Sequence, residues 1–173
     1  MGLQDTIGQV LNAVTGGKAS DADIHAAYDK VAGAVPQGDL AAGNSHVFNS
    51  DQTPEFGKMV GGLFNQSSPD QKAALLNQVL GALGPNAAQL LGGSGALAGL
   101  AGMLKPGATI TPQQAQQVKP DAVQVLAQQA SQKNPSIVDT AAQFYAQHPA
   151  LVKTIGASAL ALLMSRVSST QKT

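Results

Sequence analysis

The sequence predicts an all-α protein, a multi-helix bundle in two small lobes. Three observations point there. Apolar residues recur at three- and four-residue intervals along most of the chain. No run alternates apolar and polar residues as a half-buried strand would. Prolines recur at intervals close to the length of one short helix: Pro54, Pro69 and Pro85, then Pro120, Pro135 and Pro149.

The elements follow in order. Leu3, Ile7, Val10, Leu11 and Val14 line one face of a first helix, which Gly16 and Gly17 end. Ser20 is placed to cap a second, with Asp21 and Asp23 in the first turn, where the helix dipole favours anions. Its apolar face is Ile24, Ala27, Tyr28, Val31 and Val35. A third helix is expected from Gln37 to Phe48, with Leu40, Val47 and Phe48 facing inward.

From there proline sets the pace. It suits the first helical position, where its missing N–H would be unpaired anyway, and it forces the residue before it out of helical geometry. Thr53, Ser68, Thr111 and Asn134 each precede a proline and are good capping residues. The helices so opened carry Phe56, Met59, Val60, Leu63 and Phe64, then Leu75, Leu76, Val79, Leu80 and Leu83. Later ones carry Val123, Leu126, Ala127 and Ala130, then Ile137, Ala141, Phe144 and Tyr145. The last, from Pro149 to Val167, is apolar nearly all round and is expected in the middle of its lobe. Only the spacing repeats, not the residues, so no solenoid is predicted.

Between the two proline-paced runs lies a Gly/Ala/Leu-rich stretch, Gly92 to Gly107, which overlaps a run of 32 uncharged residues, Ala73 to Leu104. It predicts an N-terminal helical lobe at 1–91, a linker at 92–111 and a C-terminal helical lobe at 112–173. Glycine is costly to order, about 1–2 kcal/mol of backbone entropy per residue or more. Four large apolar side chains, Leu97, Leu100, Met103 and Leu104, set against some sixteen residues do not offset that cost. Most of the stretch is therefore expected to be mobile, with at most a short helix, Ala96 to Leu104, docked on its own lobe or on a partner, and these four side chains to capture a partner helix or a second copy.

Composition narrows the function. Charged residues are 12% of the chain and the net charge is +0, which offers no basic stripe for nucleic acid. The balance hides a tilt: residues 1–105 carry five Lys and eight acidic groups, residues 106–173 five basic and two acidic. With one arginine, Arg166, and no tryptophan, bidentate base readout and stacking platforms are scarce. A weakly charged surface favours homo-association. The absence of cysteine excludes disulfides, thiol catalysis and zinc–thiolate sites. The start, Met-Gly-Leu-Gln-Asp-Thr, has no basic region or apolar run of a secretory signal. It matches the loose myristoylation pattern through Gly2 and Thr6. No apolar run reaches the roughly 20 residues of a spanning helix, so membrane residence is not expected and a cytoplasmic location is.

Candidate chemistry is sparse. Asp21, His25 and Asp29 form one helical stripe of carboxylate and imidazole. Ligands eight residues apart are about 12 Å apart along the axis, so they cannot share one ion, though His25 and Asp29 could form half a site. The stripe reads as a solvated face. Glu55, the only glutamate, follows Pro54 and reads as a first-turn dipole partner. His46 and His148 read as helix-end side chains. Gly93-Ser94-Gly95 with Gly99 has neither the strand before it nor the Lys-Ser/Thr after it that a phosphate loop needs. No catalytic, cofactor-binding or metal-binding residue is expected.

The start Met-Gly-Leu-x-Asp, the Gln/Ala-rich amphipathic helices and the Gly-Leu-rich middle resemble the YidB-like family of small bacterial helical proteins. The segments Asn134-Pro135-Ser136-Ile137-Val138-Asp139 and Phe144-Tyr145-Ala146-Gln147-His148-Pro149 resemble conserved hypothetical proteins of proteobacteria. The resemblance implies a bacterial helical protein and carries over no catalytic residue. The expected function is a non-enzymatic helical protein-interaction or scaffold role, with a protein partner or self-association, no nucleic acid and no cofactor. A peripheral membrane or envelope-associated protein, and a small-molecule carrier or enzyme with an inter-lobe pocket, are the alternatives.

Overall fold

The structure, a computed structural model, describes residues 2–93, 95–103 and 108–170. It is all-α, with 81% of the described residues helical. The α-helices are α1 (Leu3–Thr15), α2 (Asp21–Ala34), α3 (Gln37–Phe48), α4 (Phe56–Gln66), α5 (Pro69–Leu83) and α6 (Asn86–Gly92). They continue as α7 (Ala98–Met103), α8 (Pro112–Gln117), α9 (Pro120–Lys133), α10 (Ser136–Ala146), α11 (Pro149–Val152) and α12 (Ala157–Thr170). Single 3₁₀ turns, Gly95–Leu97 and Lys153–Ile155, precede α7 and α12. Among the described residues there is no strand, and no helix is long and apolar enough to cross a membrane.

Local chemistry sets the helix starts. Three are reciprocal capping boxes, in which two otherwise unpaired N–H groups are satisfied at once. Ser20 Oγ accepts from the Asp23 N–H at 3.2 Å while Asp23 Oδ2 accepts from the Ser20 N–H at 3.1 Å. Ser68 with Gln71, and Thr111 with Gln114, repeat the arrangement. Pro69, Pro112, Pro120 and Pro149 occupy first helical positions. Two expected caps differ. Thr53 instead closes the turn after α3, its hydroxyl donating to the Val47 carbonyl at 2.5 Å. Asn134 Oδ1 accepts from the Ser136 N–H at 3.2 Å and the Ser136 hydroxyl at 2.6 Å, so α10 begins one residue past Pro135. The long last helix is broken. Gly156, at φ 105, takes a backbone conformation that side chains disfavour, and separates α11 and its 3₁₀ turn from α12.

The chain forms two compact units, and they are not the lobes expected from the sequence. The first comprises the residues up to Thr53 together with those from Ala142 onward; the second runs from Pro54 to Ala141. The boundaries expected at 91 and 112 both fall inside the second unit, and so do the described residues of the Gly-rich stretch.

In the first unit α12 packs against α3, α2 and α1. Leu160, Leu163, Met164 and Val167 of α12 are buried, as are Ile7, Ile24, Val31, Leu40 and Val47 of its partners. Gly43 lets α3 and α12 approach: a Cβ there would lie 3.0 Å from Val167 and 3.1 Å from Leu163. The buried Asn44 donates from Nδ2 to the Ala142 carbonyl at 3.0 Å.

In the second unit the main contact is α4 on α9, with α8 on α5. Gly57 and Gly61, one turn apart, bring α4 against α9. A Cβ on Gly57 would fall 2.5 Å from the Gln124 carbonyl oxygen, and one on Gly61 3.1 Å from that of Pro120. The Gly57 N–H also donates to Gln128 Oε1 at 3.2 Å. Small residues thus set a backbone approach that larger ones would hold apart.

Candidate functional site

The Gly-rich stretch is built into the second unit. Leu90 and Leu91 of α6 are buried, the 3₁₀ turn packs on α9 and α6, and α7 packs on α6. Leu97 is 0% exposed and Leu100 2%. These two expected partner-capturing residues are therefore core, covered within their own unit rather than offered on its surface. Met103 is half-buried, and Leu104 lies outside the described residues. On the far side Asn77 of α5 clamps the returning backbone. Its Nδ2 donates to the Ile110 carbonyl at 3.0 Å and its Oδ1 accepts from the Ile110 N–H at 2.7 Å. Weighing sixteen residues against four side chains left out Leu90, Leu91, Ile110 and this clamp, which is why the expectation of a mostly mobile linker differs from the structure, while the short helix expected to dock on its own lobe corresponds to α7.

Beside this stretch lies a cavity of about 330 Å³. Leu100, Val118 and Ala122, all buried, and Met103 supply its apolar lining. Gly95 and Gly99 open it, since a Cβ on either would meet nothing within 4 Å. Lys119 and Asp121, both exposed, also line it and flank Pro120 at the start of α9. The result is an open groove, apolar within, carrying one positive and one negative side chain. The sequence marks Lys119-Pro120 only as a helix start, and neither Lys119 nor Val118 nor Asp121 is expected there as a site residue. The local signal was there: a large apolar residue followed at once by two opposite charges around a helix-opening proline.

The other candidates are not brought together as a reactive centre. Lys153 Nζ holds both carboxylate oxygens of Asp29, at 2.9 and 3.0 Å, which occupies one end of the Asp21–His25–Asp29 stripe. Among the described residues no group of three His, Cys, Asp or Glu side chains could hold a metal ion. Asp23 titrates below the usual carboxylate range because the Ser20 hydroxyl, then the Ser20 N–H, bonds its charged form. Glu55 stands at the residue before α4, rather than in its first turn, 4.0 Å from Lys58. His46 is in the last turn of α3, and the His148 ring lies 4.6 Å from that of Phe144. Of Gly93-Ser94-Gly95, Ser94 lies outside the described residues.

Two groups escaped the sequence reading altogether. The hydroxyls of Tyr28 and Tyr145 are buried in the first unit without a hydrogen-bond partner. Burial pushes both phenols well above their ordinary range, and the nearby Asp29 charge adds to the effect at Tyr28. Tyr145 packs edge-on to Phe48 and Phe144, with ring centroids 6.0 and 5.2 Å away. No protein-family model, no curated protein and no solved structure matches the chain.

Proposed function

We propose that the chain is a non-enzymatic helical interaction protein that receives an apolar anchor of a protein partner in the groove of its second unit. The observation that supports this is the groove itself, an apolar recess kept open by Gly95 and Gly99 in the stretch poorest in charge. Anchors in small desolvated recesses dominate the energy of many protein interfaces. A net charge of +0 and a single arginine favour a protein over a nucleic acid as partner. The volume, about 330 Å³, also falls at the low end of small-molecule sites, so a small apolar ligand is the second reading.

Gly99→Leu tests the reading. Leucine is a good helix former, and its Cβ enters open space, so the variant is expected to fold while filling the groove. Partners recovered by the wild-type chain in a pull-down should be lost with the variant. A partner set that survives Gly99→Leu unchanged refutes the groove as the docking site.

A further inference from the structure

Resting on that reading, we propose that the groove takes a free chain end: the C-terminal residue of a partner polypeptide, with an apolar side chain. Size argues first. A helix with its side chains is about 10–12 Å across, whereas about 330 Å³ accommodates a side chain or two. The occupant is an anchor, not a helix laid lengthwise.

The polar lining argues second. Lys119 offers an ammonium that only donates and Asp121 a carboxylate that only accepts. Among the described residues, neither side chain has a hydrogen-bond or ion-pair partner. They stand either side of one residue, Pro120. A terminal residue carries the complementary pair within its own length: a carboxylate for Lys119, a backbone N–H for Asp121, and a side chain for Leu100, Met103, Val118 and Ala122. An interior segment of apolar side chains brings no charge to Lys119. A chain's amino end would bring a cation to the N-terminus of α9, where the helix dipole disfavours it.

The test uses the full chain and an acetylated peptide, Gly-Ser-Gly-Ser-Leu, as its free acid and as its C-terminal amide. Binding is followed by amide chemical shifts. The acid should bind more tightly than the amide by about fivefold, the upper end of the scale for an exposed ion pair. Lys119→Gln should bring the acid down to the amide. Gly99→Leu should abolish binding of both while far-UV circular dichroism is unchanged. Equal binding of acid and amide to the wild type, with both lost in Gly99→Leu, overturns the chain-end proposal and leaves the groove reading standing. Free leucine binding as tightly as the peptide overturns it too, since the occupant is then a small molecule. Absence of any shift with either peptide overturns it as well, and the pull-down then decides the groove reading separately.

Discussion

The chain has two tyrosines and no tryptophan, and both phenols are buried in the first unit without a partner. Tyrosinate absorbance therefore reports on that unit alone. An exposed phenol ionises near 10.0; burial raises both above this value in the folded chain. The sign follows from linkage. The stability these groups contribute is complete below pH 10 and is lost as pH rises above it, because only the unfolded chain can then release the protons. At pH 12 the unfolded state gains about 2.7 kcal/mol per tyrosine, from 1.36 kcal/mol per pH unit over two units. Two of them, about 5 kcal/mol, approach the whole stability of a typical domain. The wild type should show almost no tyrosinate until its helical circular dichroism falls, and the two signals should move together. Tyr28→Phe with Tyr145→Phe should hold its helix to higher pH. At neutral pH an unpaired buried hydroxyl costs about 1–3 kcal/mol. Tyr145→Phe should therefore be neutral or raise Tm, by about 2–4 °C per kcal/mol for a chain of this size. Tyrosinate appearing near pH 10 with the helix intact would refute the reasoning. So would a Tyr145→Phe variant that melts several degrees lower.

Gly57→Ala should lower stability by about 1–3 kcal/mol in urea unfolding despite its better helix propensity, because the Gln124 carbonyl stands 2.5 Å from the new Cβ. Gly62→Ala on the same helix meets nothing within 4 Å and should gain about 0.5–1 kcal/mol; equal effects at the two sites would contradict the packing argument. Asn77→Ala removes both bonds to Ile110 and should cost about 1–3 kcal/mol, with faster amide exchange at Ile110. Asp29→Asn breaks an ion pair with a largely exposed carboxylate and should change stability by less than about 1 kcal/mol. Excess Zn²⁺ should leave the wild-type Tm within about 1 °C, since specific binding would raise it with concentration; an upward shift lost in His25→Ala would reveal a site.

How far the sequence could be read depended on how local each determinant was. The capping boxes at Ser20, Ser68 and Thr111 lie within four residues of chain. So do the proline starts of α5, α8, α9 and α11. The helix type and most helix starts were therefore legible. The inward faces were legible too, because 3.6-residue periodicity needs no partner to be seen: Ile24, Val31, Leu63, Leu76 and Leu126 are all buried. Gly156, which breaks the last helix, looked no different from the glycines inside α4.

Only the tertiary structure decided what those faces pack against. That α12 returns to α1, α2 and α3, placing both ends of the chain in one unit, is a contact across more than a hundred residues with no local signature. The charge-poor stretch shows the same division. Its composition showed side chains in need of cover and glycines expensive to order. Whether cover came from a partner or from α6 and α9 depended on residues distant in sequence, and so did the clamp from Asn77 to Ile110, 33 residues away. Lys119 and Asp121 acquire their place at the groove in the same way, from α7 folding beside the start of α9. Secondary structure follows from interactions within a turn or two, which a sequence displays directly. Burial and site geometry follow from which surfaces meet, and that is settled by the packing of the whole unit.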